Sequence, residues 1–81
     1  MNDLELAAEL HRRYENAKRN EAACQIHLFG IEYAKELQDC GCPLKHIVEL
    51  SGISMGYLSE ISKGIKLSKY VEVRKRGEKD G

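Results

Sequence analysis

Pro43-Leu-Lys-His-Ile-Val-Glu-Leu-Ser-Gly52-Ile-Ser-Met-Gly-Tyr-Leu-Ser-Glu-Ile-Ser-Lys-Gly64 is the stretch that decides how this chain reads. Leu44, Ile47, Val48 and either Leu50 or Ser51 recur at the spacing of one helical face, and Tyr57, Leu58 and Ile61 do so again after a break. Pro43 suits a first helical position, where its missing N–H is not needed. Gly52 suits the left-handed residue that closes a helix. Ser54 can cap the next helix through its hydroxyl. The pattern predicts two short amphipathic helices joined by a tight turn, with Gly64 stopping the second. Such a pair can project its second helix into a groove; a plain helical hairpin carries the same pattern.

Upstream, Leu6, Ala7, Leu10, Tyr14 and Ala17 predict an amphipathic helix from Asp3 to about Arg19, capped by Asn2 or Asp3. Asn20 either marks a break or one helix runs on. A second helix is expected from Glu21 to Gln38, with Ala22, Ile26, Phe29, Tyr33 and Leu37 on one face. Cys24, Leu28 and Ile31 form a second apolar stripe that suits the first helix or, as the preferred reading, a second subunit. Gly30 lowers helix propensity by about 1 kcal/mol against Ala, which points to another helix approaching closely there. Downstream, Tyr70 to Arg74 alternates like a short strand that either pairs across a dimer or stays extended. Residues 75–81 read as a mobile charged tail behind a single domain of residues 1–74.

Eighty-one residues bury a modest core, so a partner subunit, a metal or disulfides would each add stability. Thirteen basic residues balance thirteen acidic ones, which argues mildly against nucleic acid. The balance is uneven, however. Residues 1–41 hold 5 basic and 8 acidic side chains, and residues 42–81 hold 8 and 5. The basic half is the half with the two-helix pattern, and DNA responds to the local patch. No apolar run approaches the roughly 18 residues of a membrane span, and no signal peptide is evident, so a cytoplasmic protein is expected. Three cysteines, an odd number, argue against a disulfide framework there.

Leu44 to Gly64 resembles the helix-turn-helix of phage-repressor-like transcriptional regulators. Ile47 takes the inward place five residues before Gly52, Ser51 is small beside the turn, and Ile53 follows it. Leu58 and Ile61 take the apolar places of the second helix, and Lys63-Gly64 resembles the closing glycine. Val48 departs from the alanine usual there, where the helices approach closely. The resemblance implies that the helix after Gly52 reads DNA through Ser54, Met55, Gly56, Ser59, Glu60 and Lys63. Ser59 suits a base edge, Glu60 a cytosine amine, Met55 a thymine methyl and Lys63 a phosphate. Glu60 is equally a plain solvated residue. Tyr57 suits a phosphate or half-buried packing. Lys45 and His46 are further phosphate candidates, while Lys66, Lys69, Arg74, Lys75 and Arg76 either track the DNA backbone beyond the helix or aid solubility.

Cys24, His27, Cys40 and Cys42 invite a zinc site, but neither pair has CxxC spacing and each residue has a structural reading. Cys42, near a helix start, could carry a lowered pKa, while a Cys40–Cys42 bond across Gly41 would be strained. No catalytic set stands out, and no cofactor or small-molecule substrate is implied. The chain therefore reads as all-α, about four helices with a helix-turn-helix and a short extended C-terminal tail. The expected function is a small, non-enzymatic, sequence-specific DNA-binding transcriptional regulator acting as a homodimer on double-stranded DNA. The alternative is a helical protein-interaction module without DNA binding.

Overall fold

The computed structural model describes residues 1–74, and the expected tail at 75–81 lies outside the described residues. Five α-helices follow in order: α1 (Asp3–Glu15), α2 (Ala22–Glu32), α3 (Ala34–Cys40), α4 (Leu44–Ser51) and α5 (Leu58–Leu67). A 3-10 turn, Met55–Tyr57, leads into α5. The class is all-α, as expected, but the count exceeds four. No strand occurs among the described residues: within this chain Tyr70 closes a turn and residues 71–74 pair with no strand.

The additional helix arises at Tyr33, where φ −107° and ψ 19° leave the helical region. The bend keeps the ladder almost intact: Tyr33 N–H donates to the Phe29 carbonyl at 2.9 Å, and Leu37 N–H donates to the Tyr33 carbonyl at 2.8 Å. The apolar rhythm Ile26, Phe29, Tyr33, Leu37 therefore continues across the bend, which hides it in the sequence. The Tyr33 ring packs on Phe29, with centroids 5.1 Å apart, and Arg13 lies 5.8 Å from its centre. Arg13 also pairs with Glu9 and Glu32, binding α1 to α2.

At its start α1 carries a capping box. Asn2 Oδ1 accepts from Glu5 N–H at 2.8 Å, and Glu5 Oε1 accepts from Asn2 N–H at 2.9 Å. These bonds satisfy two amides that the first turn would otherwise leave open. The helix ends at Glu15, four residues short of expectation, and Asn20 takes a left-handed φ of 68°. Asn20 thus marks a break between two helices.

Leu6 and Leu10 of α1, Ile26 and Phe29 of α2, Ile47 and Val48 of α4 and Ile61 of α5 are fully buried together. Leu37 of α3 joins them, so all five helices contribute to one core; α5 packs chiefly on α2 while α4 packs chiefly on α1. Gly30 and Gly64 explain the first of these contacts. A Cβ on Gly30 would lie 2.5 Å from the Ile61 carbonyl oxygen and 3.2 Å from Gly64 Cα. One on Gly64 would strike the His27 carbonyl oxygen. The close approach expected at Gly30 is present. Gly64 is not the helix stop, because α5 continues through it to Leu67 and Gly64 is buried against α2.

This crossing also changes the reading of the second stripe on α2. The flank beside Ile31 is occupied by α5 within the same chain, and Leu28 and Ile31 are half-buried. Cys24 alone of that stripe is exposed.

Candidate nucleic-acid interface

The turn between α4 and α5 is built from side chain and backbone together. Gly52 closes α4 at φ 82°, in the left-handed region that costs a residue with a Cβ. Buried Ser51 donates its hydroxyl to the Val48 carbonyl at 2.7 Å and accepts from Ile53 N–H at 3.3 Å. These bonds occupy polar groups that burial would otherwise penalise. Ser54 caps the 3-10 turn by accepting from Gly56 N–H at 3.1 Å. Val48, the larger residue where alanine is usual, is fully buried among core side chains.

Both helices of the unit are tied back to the scaffold by the chain's three histidines. His46 on α4 donates to Asp3 at the start of α1, 3.0 Å away. His11 on α1 donates to the Ser51 carbonyl at the end of α4, also at 3.0 Å. His27 on α2 donates from Nδ1 to Glu60 on α5 at 3.3 Å. Its Nε2 is buried and has no hydrogen-bond partner. The hydrogen bond from His46 holds the Asp3 carboxyl below its ordinary pKa.

With Ile61 and Gly64 buried and Leu58 and Ile65 packed against the core, the opposite side of α5 faces solvent. Ser59, Lys63 and Lys66 lie there at i, i+4 and i+7, the spacing of a single helix face. Met55 stands four residues before Ser59 and is 37% exposed; Ser54 and Gly56 are exposed beside it. Lys45 is exposed on the first turn of α4. Most of the residues picked from sequence therefore share accessible surface on the two helices and their turn.

Others are engaged within the molecule, His46 with Asp3 among them. Glu60 is bracketed by His27 and by Lys63, whose Nζ lies 3.9 Å away. Tyr57 is half-buried, and its ring meets Tyr14 of α1 edge-on with centroids 5.7 Å apart. The half-buried alternative for Tyr57 describes its place in the fold. Tyr14, His11 and His27 support the unit from elements remote in sequence, and no local spacing marks them.

The zinc candidates do not converge. Cys24 is exposed on α2, His27 is turned to Glu60, and Cys40 and Cys42 flank the corner between α3 and α4. Among the described residues no group of three or more His, Cys, Asp or Glu is placed to hold a metal ion. Nor is the Cys42 pKa lowered. A side-chain hydrogen bond with Cys40 pushes the thiol up, and desolvation adds to it. No helix among the described residues is long and apolar enough to cross a membrane.

Comparison with curated proteins and with solved structures returned no match. The family described as HTH-like domain matches residues 2–74, which takes in all five helices and not merely the pair around Gly52. That coverage supports the helix-turn-helix reading without singling out the phage-repressor-like group. The chain belongs to the HTH-like domain family.

Proposed function

We propose that this protein binds double-stranded DNA sequence-specifically and acts as a small homodimeric transcriptional regulator. The observation that carries the reading is the solvent face of α5, where Ser59, Lys63 and Lys66 form one polar, basic stripe beyond a tight turn. α5 is ten residues, about 15 Å long, enough to lay three or four side chains along a major groove.

In this reading Lys63 and Lys66 meet phosphates, and Ser59 and Met55 meet base edges. Lys45 and the uncapped start of α4 meet the neighbouring phosphates, where a helix N-terminus favours an anion. Ser54 and Gly56 keep the approach to the groove small. Tyr57 offers its hydroxyl to the backbone while its ring stays on Tyr14. Glu60 serves cytosine only by exchanging its bond with His27 for one to the base, so it contributes less discrimination than Ser59. A homodimer on a palindromic site is the assembly that matches one short reading helix per chain. Regulation then follows from occupancy of the site, in the cytoplasm, without chemistry.

Selection of bound sequences from random duplex DNA tests this directly. Recovery of a motif with two half-sites about 10 base pairs apart, or a multiple, is the expected result. Failure to retain any duplex at low salt would replace this reading with the helical protein-interaction module.

A further inference from the structure

We propose that Cys40 and Cys42 are a redox-active dithiol, which closes into an intramolecular disulfide in the presence of a low-molecular-weight disulfide and reopens with thiol. Spacing alone argues against the bond, because two cysteines separated by one residue close a small, strained ring. The local backbone answers part of that objection. α3 ends at Cys40, and Gly41 takes the left-handed conformation, φ 76° and ψ 3°, which folds the chain back. The turn brings Cys42 Sγ to 3.9 Å from the Cys40 carbonyl oxygen. Both are free and half-buried against the core.

Strain that remains in the closed ring makes the bond easy to reduce, and ready reversal is what a reporter of thiol–disulfide poise requires. The location gives the reaction a consequence. Pro43 follows at once, α4 begins at Leu44, and His46 one turn later holds Asp3. The state of the pair is thus set at the corner that feeds the first helix of the helix-turn-helix unit. Nothing in this proposal depends on DNA binding.

The step is balanced by the oxidant. One cysteine thiolate attacks a sulfur of R–S–S–R, forming a mixed disulfide and releasing one thiolate. The second cysteine thiolate then displaces the other half. Two electrons and two protons leave the pair, and the oxidant departs as two R–SH.

The test uses full-length Cys24→Ser protein, which removes the third, exposed thiol. It is incubated natively with oxidised glutathione, quenched with acid, and read by intact mass and alkylation. The expected product has lost two hydrogens, has no alkylatable thiol, retains no glutathione and reverts with dithiothreitol. Retained glutathione adducts, disulfide-linked chains as the main product, or two unchanged thiols under conditions that modify Cys24 in the wild type would each overturn the proposal. Gly41→Ala in the same background tests the turn, because a Cβ disfavours the left-handed conformation that closure must restore. Its closure constant should fall on the order of tenfold. Closure as favourable as in the parent would show that the glycine turn does not pair the thiols.

Discussion

The seam between α2 and α5 and the seam between α1 and α4 hold two halves of one helix-turn-helix by different physics. At the first, Gly30 and Gly64 let two backbones meet with no side chain between them at the crossing. At the second, apolar side chains fill the centre, and the rims are hydrogen bonds, His46 to Asp3 and His11 to the Ser51 carbonyl. A backbone crossing fixes the depth and angle of a helix by steric exclusion, which no solvent condition relaxes. Hydrogen bonds at a partly exposed rim fix register, and the one at Asp3 responds to pH. The helix assigned to reading DNA sits on the rigid seam.

The largest expected effect breaks the rigid seam. Gly64→Ala drives a methyl into the His27 carbonyl, and backbone cannot move aside as a side-chain tip can. Overpacking of this kind should cost about 3 kcal/mol or more, read as a shift of the urea midpoint. Gly30→Ala meets the Ile61 carbonyl at 2.5 Å, a slightly less severe approach; both glycines are interior to helices and each alanine recovers about 1 kcal/mol of propensity, so the two losses should be similar, with that of Gly30→Ala somewhat smaller. A change within about 0.5 kcal/mol for both would mean that the helices do not cross at these residues.

A middle-sized effect belongs to the ion pairs that tie α1 to α2. Glu9 accepts from Arg12 and Arg13, and Arg13 reaches on to Glu32. The hydrogen bond from Arg12 holds Glu9 below its ordinary pKa against partial burial, with Arg13 assisting. A carboxyl depressed on folding adds stability above its unfolded pKa and loses that contribution as pH falls through the folded value. Glu9→Gln should cost about 1 kcal/mol at neutral pH, discounted for solvent on the Arg12 side. The gap from wild type should close below about pH 4 in a denaturation series. A gap independent of pH would show that Glu9 contributes packing rather than charge.

The smallest effect sharpens the polar seam. Asp3 is depressed in the same direction, first by its hydrogen bond with His46. Its contribution is therefore also present at neutral pH and lost in acid. Asp3→Asn should lower the melting temperature slightly at neutral pH and not at all in strong acid. A larger loss than that of Glu9→Gln would place more of the α1–α4 contact in this one bond than its exposure allows.

Much of this contrast was legible in the sequence, and the illegible part has identifiable causes. Gly52 and Ser54 announced their turn because each does one local job, a left-handed stop and a cap. Gly30 announced a crossing because glycine is costly inside a helix. Gly64 misled, since a glycine after an apolar run reads as a stop when nothing shows the partner helix. Tyr33 gave no sign of its bend, because the apolar rhythm continued across hydrogen bonds that spanned it. The second stripe on α2 suggested a subunit interface, whereas α5 returns from thirty residues later to cover part of that flank. On the candidate interface, exposure of Ser59 and Lys63 followed from helical spacing with Leu58 and Ile61, while Lys66 joined that face only because α5 runs on past Gly64. The engagement of Glu60 by His27 and of Tyr57 by Tyr14 did not follow from spacing, because both partners lie on other helices.

The most direct test of the account compares duplex binding by the wild type, Lys63→Ala and Ser59→Ala over a salt series, on a selected site and a scrambled one. All three proteins should first be shown to melt alike. Lys63→Ala should weaken both duplexes to a similar degree and flatten the salt dependence by about one unit, as expected for one lost phosphate contact. Ser59→Ala should leave the salt slope unchanged and cost about 1 kcal/mol of preference at one base position. Binding by both variants indistinguishable from wild type on both duplexes would contradict the claim that the outer face of α5 enters the groove.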